Sequence, residues 1–204
     1  MSCRAHIVQF FQSLPPGTLF TTRQCLNKGF TRANVDKVFS RLVKEGVLIR
    51  KVPGLFVDAD TARSTYSVAE IATLKASSFG KKIHQHTADS AAEIGLAVEK
   101  NDQDTYIVGG CSSRFRLVET GKYVNLRTAC AKKMHLEDDN VGKVVRGLWH
   151  IGADYIRLKM IADVVLKLSR SECRKIVSAG AWMPYWLMDG FLEIFGLRYS
   201  RPLP

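Results

Sequence analysis

The chain has 204 residues, 46% apolar and 24% charged, an ordinary globular balance and enough length for one large core or two small ones. Its formal charge of +11 is not ordinary and favours a polyanionic partner, nucleic acid before an acidic membrane surface. The five cysteines, odd in number and without a CxxC pair, argue against a disulfide framework or a zinc ribbon, and no apolar run approaches the roughly 18 residues that span a bilayer.

In chain order, Ile7, Phe10, Phe11 and Leu14 are spaced as one helix face that stops at Pro15-Pro16-Gly17. Leu19-Phe20 fits a short extended piece, and Thr21-Thr22 can cap a second helix running through Leu26 to Lys28. Gly29-Phe30 is the turn into a third. There Thr31 supplies the capping hydroxyl, and Val35, Val38, Phe39 and Leu42 recur at i, i+3, i+4 and i+7 as a buried stripe. At about 100° per residue, Asn34, Lys37, Arg41 and Lys44 fall on the opposite face. Gly46 stands where a left-handed residue ends a helix. Val47-Leu48-Ile49 and Leu55-Phe56-Val57 then flank Val52-Pro53-Gly54, with Arg50 and Lys51 near the tip. Three helices and a two-stranded wing within 58 residues are the sequence form of a winged helix-turn-helix. This quarter carries nine Lys and Arg against three Asp and Glu, about half the surplus of the whole chain.

Such a helix suits the major groove of double-stranded DNA, and a basic wing suits a phosphate or the minor groove. Asn34 can pair bidentately with adenine and Arg41 with guanine, while Lys37 and Lys44 share their face. Arg23 and Arg32 are placed to hold phosphates, with Thr22 and Thr31 beside them and Arg50 and Lys51 on the wing. A solvated helix face has the same charge spacing; the wing, the charge surplus and the helix order together favour DNA.

Residues 59–65 are polar and aperiodic and read as a linker. From 66 to 204 the pattern is α+β, a small sheet and a helical cluster behind the N-terminal winged helix-turn-helix domain of residues 1–58. Helices are expected over 68–79 and 87–94, strands over 105–108, 114–118 and 123–127, with Gly109-Gly110 and Thr120-Gly121-Lys122 as turns. Four helices follow, over 141–151, 156–168, 172–177 and 182–195, with Pro184 near the start of the last.

Three segments of this second part, IHQHTADSAAEIGL (83–96), YIVGGCSSRFRL (106–117) and ACAKKMHLEDDNVGKVVRGLWHIG (129–152), occur in the order found in one family. With SRLVKEGVLIRKVPGLFV before them, the chain resembles the AbiEi-type antitoxins of type IV toxin–antitoxin (abortive infection) systems. It departs from the family pattern at Thr87, where members often have glycine, and near Ala92, where they often have asparagine. The resemblance implies a winged-helix repressor of its own operon, acting on repeated sites, with antitoxicity in the C-terminal domain, and the scattered cysteines and lack of a long apolar run fit a cytoplasmic protein. It implies a nucleotidyltransferase-like toxin as functional partner without a stable complex. A monomer or weak dimer is expected in solution, and cooperativity on DNA is left open. A stand-alone transcription regulator, and an RNA-binding or enzymatic role for residues 66–204, are the alternatives.

Arg114, Arg116, Lys132, Lys133, Lys143 and Arg146 form a second basic group, either a second nucleic-acid contact or a scattered solvated surface. His84 and His86 form an HxH pair without a ligand-spaced Cys or carboxylate, so loop histidines are expected rather than a metal site. Glu137-Asp138-Asp139 suits the positive end of a helix starting near Asn140 better than a magnesium ion. The Gly109–Ser113 turn has the Gly-Ser opening of nucleotidyltransferase sites. Arg114-Phe115-Arg116-Leu117 follows it where two aspartates would be needed, so a plain hairpin turn is expected. Cys111 has no identifiable His/Asp partner set. Trp182, Trp186, Phe191 and Phe195 suit core packing, with a dimer or partner face as the alternative. No catalytic set, metal or cofactor is expected. The N-terminus shows no signal-peptide pattern.

Overall fold

A computed structural model of the chain describes residues 2–26, 29–96, 98 and 104–197. It contains helices and two small sheets, so the fold is α+β. The chain divides into two compact units, Met1–Ile83 with Ser112–Leu126 and His84–Cys111 with Arg127–Pro204. The expected linker at 59–65 is therefore not where the chain divides. Residues 59–83 stay with the first unit because their polar groups are used there. Gly17 N donates to Thr61 Oγ1 at 3.1 Å, and the buried Tyr66 hydroxyl donates to Gly17 O at 3.0 Å while accepting from Arg63 N at 3.1 Å.

The first unit opens with α1 (Cys3–Gln12), β1 (Phe20–Thr21), a 3-10 turn (Thr22–Cys25) and α2 (Arg32–Lys44), followed by β2 (Leu48–Val52) and β3 (Leu55–Asp58). The order in the sheet is β1-β3-β2, antiparallel throughout, with Phe20 opposite Phe56 and Leu48 opposite Asp58. The second helix expected from sequence is a single 3-10 turn, and its expected end at Lys28 lies outside the described residues. Helix α2 begins on Thr31, whose hydroxyl accepts from Asn34 N at 3.4 Å. It ends at Gly46, φ 75°, where Val47 N returns to Leu42 O at 2.9 Å and Gly46 N to Val43 O at 3.2 Å. Those bonds satisfy carbonyls that a helix end leaves open, in a conformation that glycine adopts without a Cβ penalty.

The core of this unit is built from Ile7, Phe11, Phe20, Cys25, Val35, Phe39, Leu42, Leu48 and Phe56. Its rings form a chain, Phe11 on Phe20 with centroids 5.8 Å apart, Phe20 on Phe39 at 6.1 Å and Phe39 on Phe56 at 4.6 Å. Burial pushes the Cys25 thiol up to about 12, so it packs as a small hydrophobe and stays a thiol.

The chain continues through α3 (Val68–Ser77), β4 (Ile83–Gln85), α4 (Thr87–Glu93), β5 (Thr105–Val108), β6 (Ser113–Arg116), β7 (Tyr123–Thr128) and α5 (Ala131–His135). Then come α6 (Asn140–Ile151), α7 (Leu158–Val165), α8 (Arg170–Ser178), a 3-10 turn at Gly180–Trp182 and α9 (Tyr185–Ile194). Of the HxH pair, His84 lies in strand β4 rather than a loop and His86 stands at the N-cap of α4, and α5 was not anticipated. Strand β6 pairs with β7, Ser113 opposite Leu126 and Arg116 opposite Tyr123, and not with β5. Gly109–Ser112 is thus a crossover connection, not the hairpin turn expected.

In the second unit α6 is buried along most of its length, and Val141, Val144, Val145 and Leu148 pack with Ile161, Val164, Ile176, Leu187 and Phe191. Gly147 lets α6 meet α4 closely: a Cβ there would lie 2.9 Å from Ala91 Cα. Trp182 stacks on His135, and Pro184 caps α9, so the apolar C-terminal segment is interrupted before its helix begins. Among the described residues, no helix is long and apolar enough to cross a membrane.

Phe39 joins α2 to the sheet through two aromatic neighbours. Phe39→Ala is expected to cost about 3–5 kcal/mol, read as a lower urea midpoint for unfolding of the full chain.

Candidate nucleic-acid interface

Helix α2 presents Val35, Phe39 and Leu42 to the core and leaves Arg32, Asn34, Lys37, Arg41 and Lys44 exposed. Among the described residues, the side chains of Asn34, Lys37 and Lys44 engage no other protein group, so their donors face solvent. The carboxylate nearest the end of this stripe is taken elsewhere. Glu45 accepts two bonds from Arg4, at 2.8 and 2.7 Å, and that contact holds its carboxyl below the usual range. Arg32 forms an open ion pair with Asp36 at 3.6 Å, a geometry worth little in water. The cations of the stripe read from sequence, Lys37, Arg41 and Lys44, are all exposed.

The wing differs from expectation. Lys51 is only 4% exposed: its ammonium pairs with Glu119 and lies 4.7 Å from the centre of the Tyr66 ring. The β2–β3 register shifts between Arg50 and Val52, which leaves Lys51 as an extra residue and turns it inward. It is a structural lysine and not a wing-tip contact. Arg50 stays exposed, its guanidinium 5.4 Å from the Phe56 ring centre. The tip itself is the two-residue turn Pro53-Gly54, and it is held down. Thr22 N donates to Gly54 O at 3.3 Å, Lys75 Nζ donates to Pro53 O, and Val118 N donates to Lys51 O at 3.0 Å.

Beside the start of α2, Thr22, Arg23, Arg32, Asp36, Gly54, Lys75 and Phe79 line a cleft of about 490 Å³. Arg23 lies over the exposed Phe79 ring, 5.3 Å from its centre. Burial and then the neighbouring Arg32 hold the Lys75 ammonium below its ordinary value. Neither Lys75 nor Phe79 carried a sequence signal for this role, because only folding brings α3 beside α2.

The second basic group is divided between the two units. Arg114 and Arg116 belong to the first unit, where Arg114 stacks 3.7 Å from the Tyr123 ring centre and Arg116 Nε donates to Gly121 O at 3.0 Å. The four others belong to the second unit. Lys132 is exposed, Lys133 lies over Trp149 at 4.8 Å, and Lys143 pairs with Glu93 at 3.0 Å. Arg146 is fully buried, donating to Leu136 O at 3.2 Å, Glu137 O at 2.9 Å and Asp138 Oδ1 at 2.8 Å. It braces the entry to α6 and offers nothing to a ligand outside.

His84 is buried, with Nε2 donating to Met134 O at 3.3 Å and Nδ1 3.6 Å from Asp138 Oδ1. His86 caps α4 and faces His150, ring centres 6.1 Å apart, and burial holds both below the ordinary histidine value. Asp139 accepts from Gly142 N at 2.9 Å and so caps α6, the role read for the acidic run. Among the described residues, no group of three or more His, Cys, Asp or Glu could hold a metal ion.

The chain matches no protein-family model and no curated protein.

Two consequences are measurable. Lys51→Ala removes a buried alkyl chain and its ion pair, so it should lower stability by about 1–3 kcal/mol in thermal unfolding. The exposed Arg50 is the control, since Arg50→Ala should leave the melt near that of the parent. The second consequence concerns acid. His84 and then Arg146 hold the Asp138 carboxyl below the usual range. A depressed folded-state value adds stability that is complete above the unfolded value near ~3.9 and is lost as pH falls through the folded one. Asp138→Asn should therefore be less stable than the parent at pH 7 and should lose less further stability between pH 5 and 2, as followed by acid unfolding.

Proposed function

We propose that the first unit is a winged helix-turn-helix module that binds double-stranded DNA, and that the protein is an antitoxin that represses its own promoter. The observation that carries the DNA reading is the exposed stripe Asn34, Lys37, Arg41 and Lys44 on the face of α2 opposite its buried residues. A helix of 13 residues, capped at both ends and packed on a sheet, is rigid enough to hold that stripe against base edges. The order α1, β1, turn, α2, β2, β3, with β1 added to the wing pair, also supports it.

In this reading Asn34 and Arg41 read bases, Lys37 and Lys44 bind along the groove, and Arg50 reaches the flanking backbone. Bound protein then occludes the promoter. The antitoxin part rests on the resemblance of residues 83–152 to AbiEi-type antitoxins, with a nucleotidyltransferase-like toxin as functional partner.

Each lost base-directed side chain costs about 1–3 kcal/mol. Asn34→Ala with Arg41→Ala should therefore weaken promoter binding by roughly 30-fold or more in a gel-shift titration, with the unfolding curve unchanged. Promoter affinity that survived the double substitution would remove α2 from the interface. Rescue of cells from the co-encoded toxin by the same variant would separate antitoxicity from DNA binding.

A further inference from the structure

The cleft beside α2 is lined by three cations from three elements: Arg23 of the 3-10 turn, Arg32 at the start of α2 and Lys75 of α3. Among the described residues, Asp36 is the one carboxylate that lines it, and it is engaged by Arg32 at 3.6 Å. Those residues thus bring the cleft two positive charges more than they can neutralise. Its geometry is built rather than accidental. Phe79 supports the Arg23 guanidinium from below, and Lys75 is fixed by its bond to Pro53 O. Ser78 Oγ, on the same wall, donates to Lys75 O at 2.8 Å and secures the end of α3. Thr22 Oγ1 and the Gly54 backbone form the floor, with Gly54 at φ 80° and Thr22 Oγ1 3.9 Å from where a Cβ would stand.

We propose that this cleft is a phosphate seat that takes one backbone phosphodiester of the bound duplex, so that α3, through Lys75, and the 3-10 turn, through the Phe79-supported Arg23, join α2 and the wing in contacting DNA. The inference rests on the DNA reading above and extends it to residues 75 and 79, outside the winged-helix segment. A phosphodiester is the chemistry these groups suit: one negative charge with two free oxygens meets a planar guanidinium fork on one side and an ammonium on the other. The anion would also relieve the mutual repulsion of Arg32 and Lys75, which now contributes to the depressed value of Lys75. Because the same lysine holds the Pro53-Gly54 turn, filling the seat would fix the height of Arg50 above the groove. Contacts of this kind set register and carry no sequence information.

The test is the salt dependence of binding by the full chain. Each phosphate contact contributes about 0.9 to the slope of log K against log salt. Arg23→Gln and Lys75→Gln should each reduce the slope by about one and weaken promoter and unrelated duplex alike, with binding measured well below each variant's melting transition. Phe79→Ala, which leaves every charge in place, should weaken binding less and leave the slope nearly unchanged. Parent slopes retained by both glutamine variants, in a protein that binds its promoter, would overturn the seat and leave the α2 reading intact. A parent protein that binds no duplex would instead overturn the α2 reading. Inorganic phosphate supplies the second arm. If it shifts the Lys75 ammonium resonance at millimolar concentration while the glutamine variants keep the parent DNA slope, the cleft serves a small free anion and the DNA assignment is wrong.

Discussion

A lysine ammonium that leaves water must find a counter-charge, and Lys51 finds its partner 68 residues further along the chain. Glu119 neutralises it, the Tyr66 face covers it, and Val118 N reaches the Lys51 carbonyl. Much else follows from this one burial. Residues 112–126 are drawn into the first unit although the chain has meanwhile entered the second. Tyr66 closes over the same place, so the stretch around it cannot act as a free linker. The β2–β3 turn is pinned from below and loses one cation, and its remaining exposed charge is Arg50.

The charge surplus is consequently uneven in what it can do. On α2 the cations project from a rigid helix, and the nearest carboxylate, Glu45, is gripped by Arg4. Their field reaches solvent within a Debye length of about 8–10 Å. In the second unit Arg146 spends its charge on two carbonyls and Asp138, and Lys143 spends its own on Glu93. A count of lysines and arginines treats these groups alike. Burial and pairing separate the ones that hold the fold together from the ones free to meet a polyanion.

What could be read along the chain follows the range of the forces involved. Helix α2 obeys short-range rules: a hydroxyl cap at Thr31, apolar spacing from Val35 to Leu42 and a left-handed stop at Gly46. The start of α6 obeys them too, with Asp139 as its cap. Strand β4 and helix α5, of three and five residues, are too short for any periodicity to show. The 109–112 connection looked like a hairpin turn because glycines mark turns of every kind, and only strand pairing shows that β6 belongs with β7. The contiguous boundary at 59–65 failed for a related reason: polar composition says that a segment is not core, but not whether its hydrogen bonds are made within a unit.

By itself the sequence determined the α+β class, the position and cationic face of α2, and most helices and strands longer than a turn, since all of these depend on residues within a few positions of one another. The tertiary structure decided which cations are free. It took Lys51 and Arg146 out of solvent, placed Lys75 and Phe79 beside Arg23 and Arg32, and joined residues 112–126 to the first unit. Those outcomes depend on pairs separated by tens of residues, and the energy of burying a charge is set by the partner that folding brings to it.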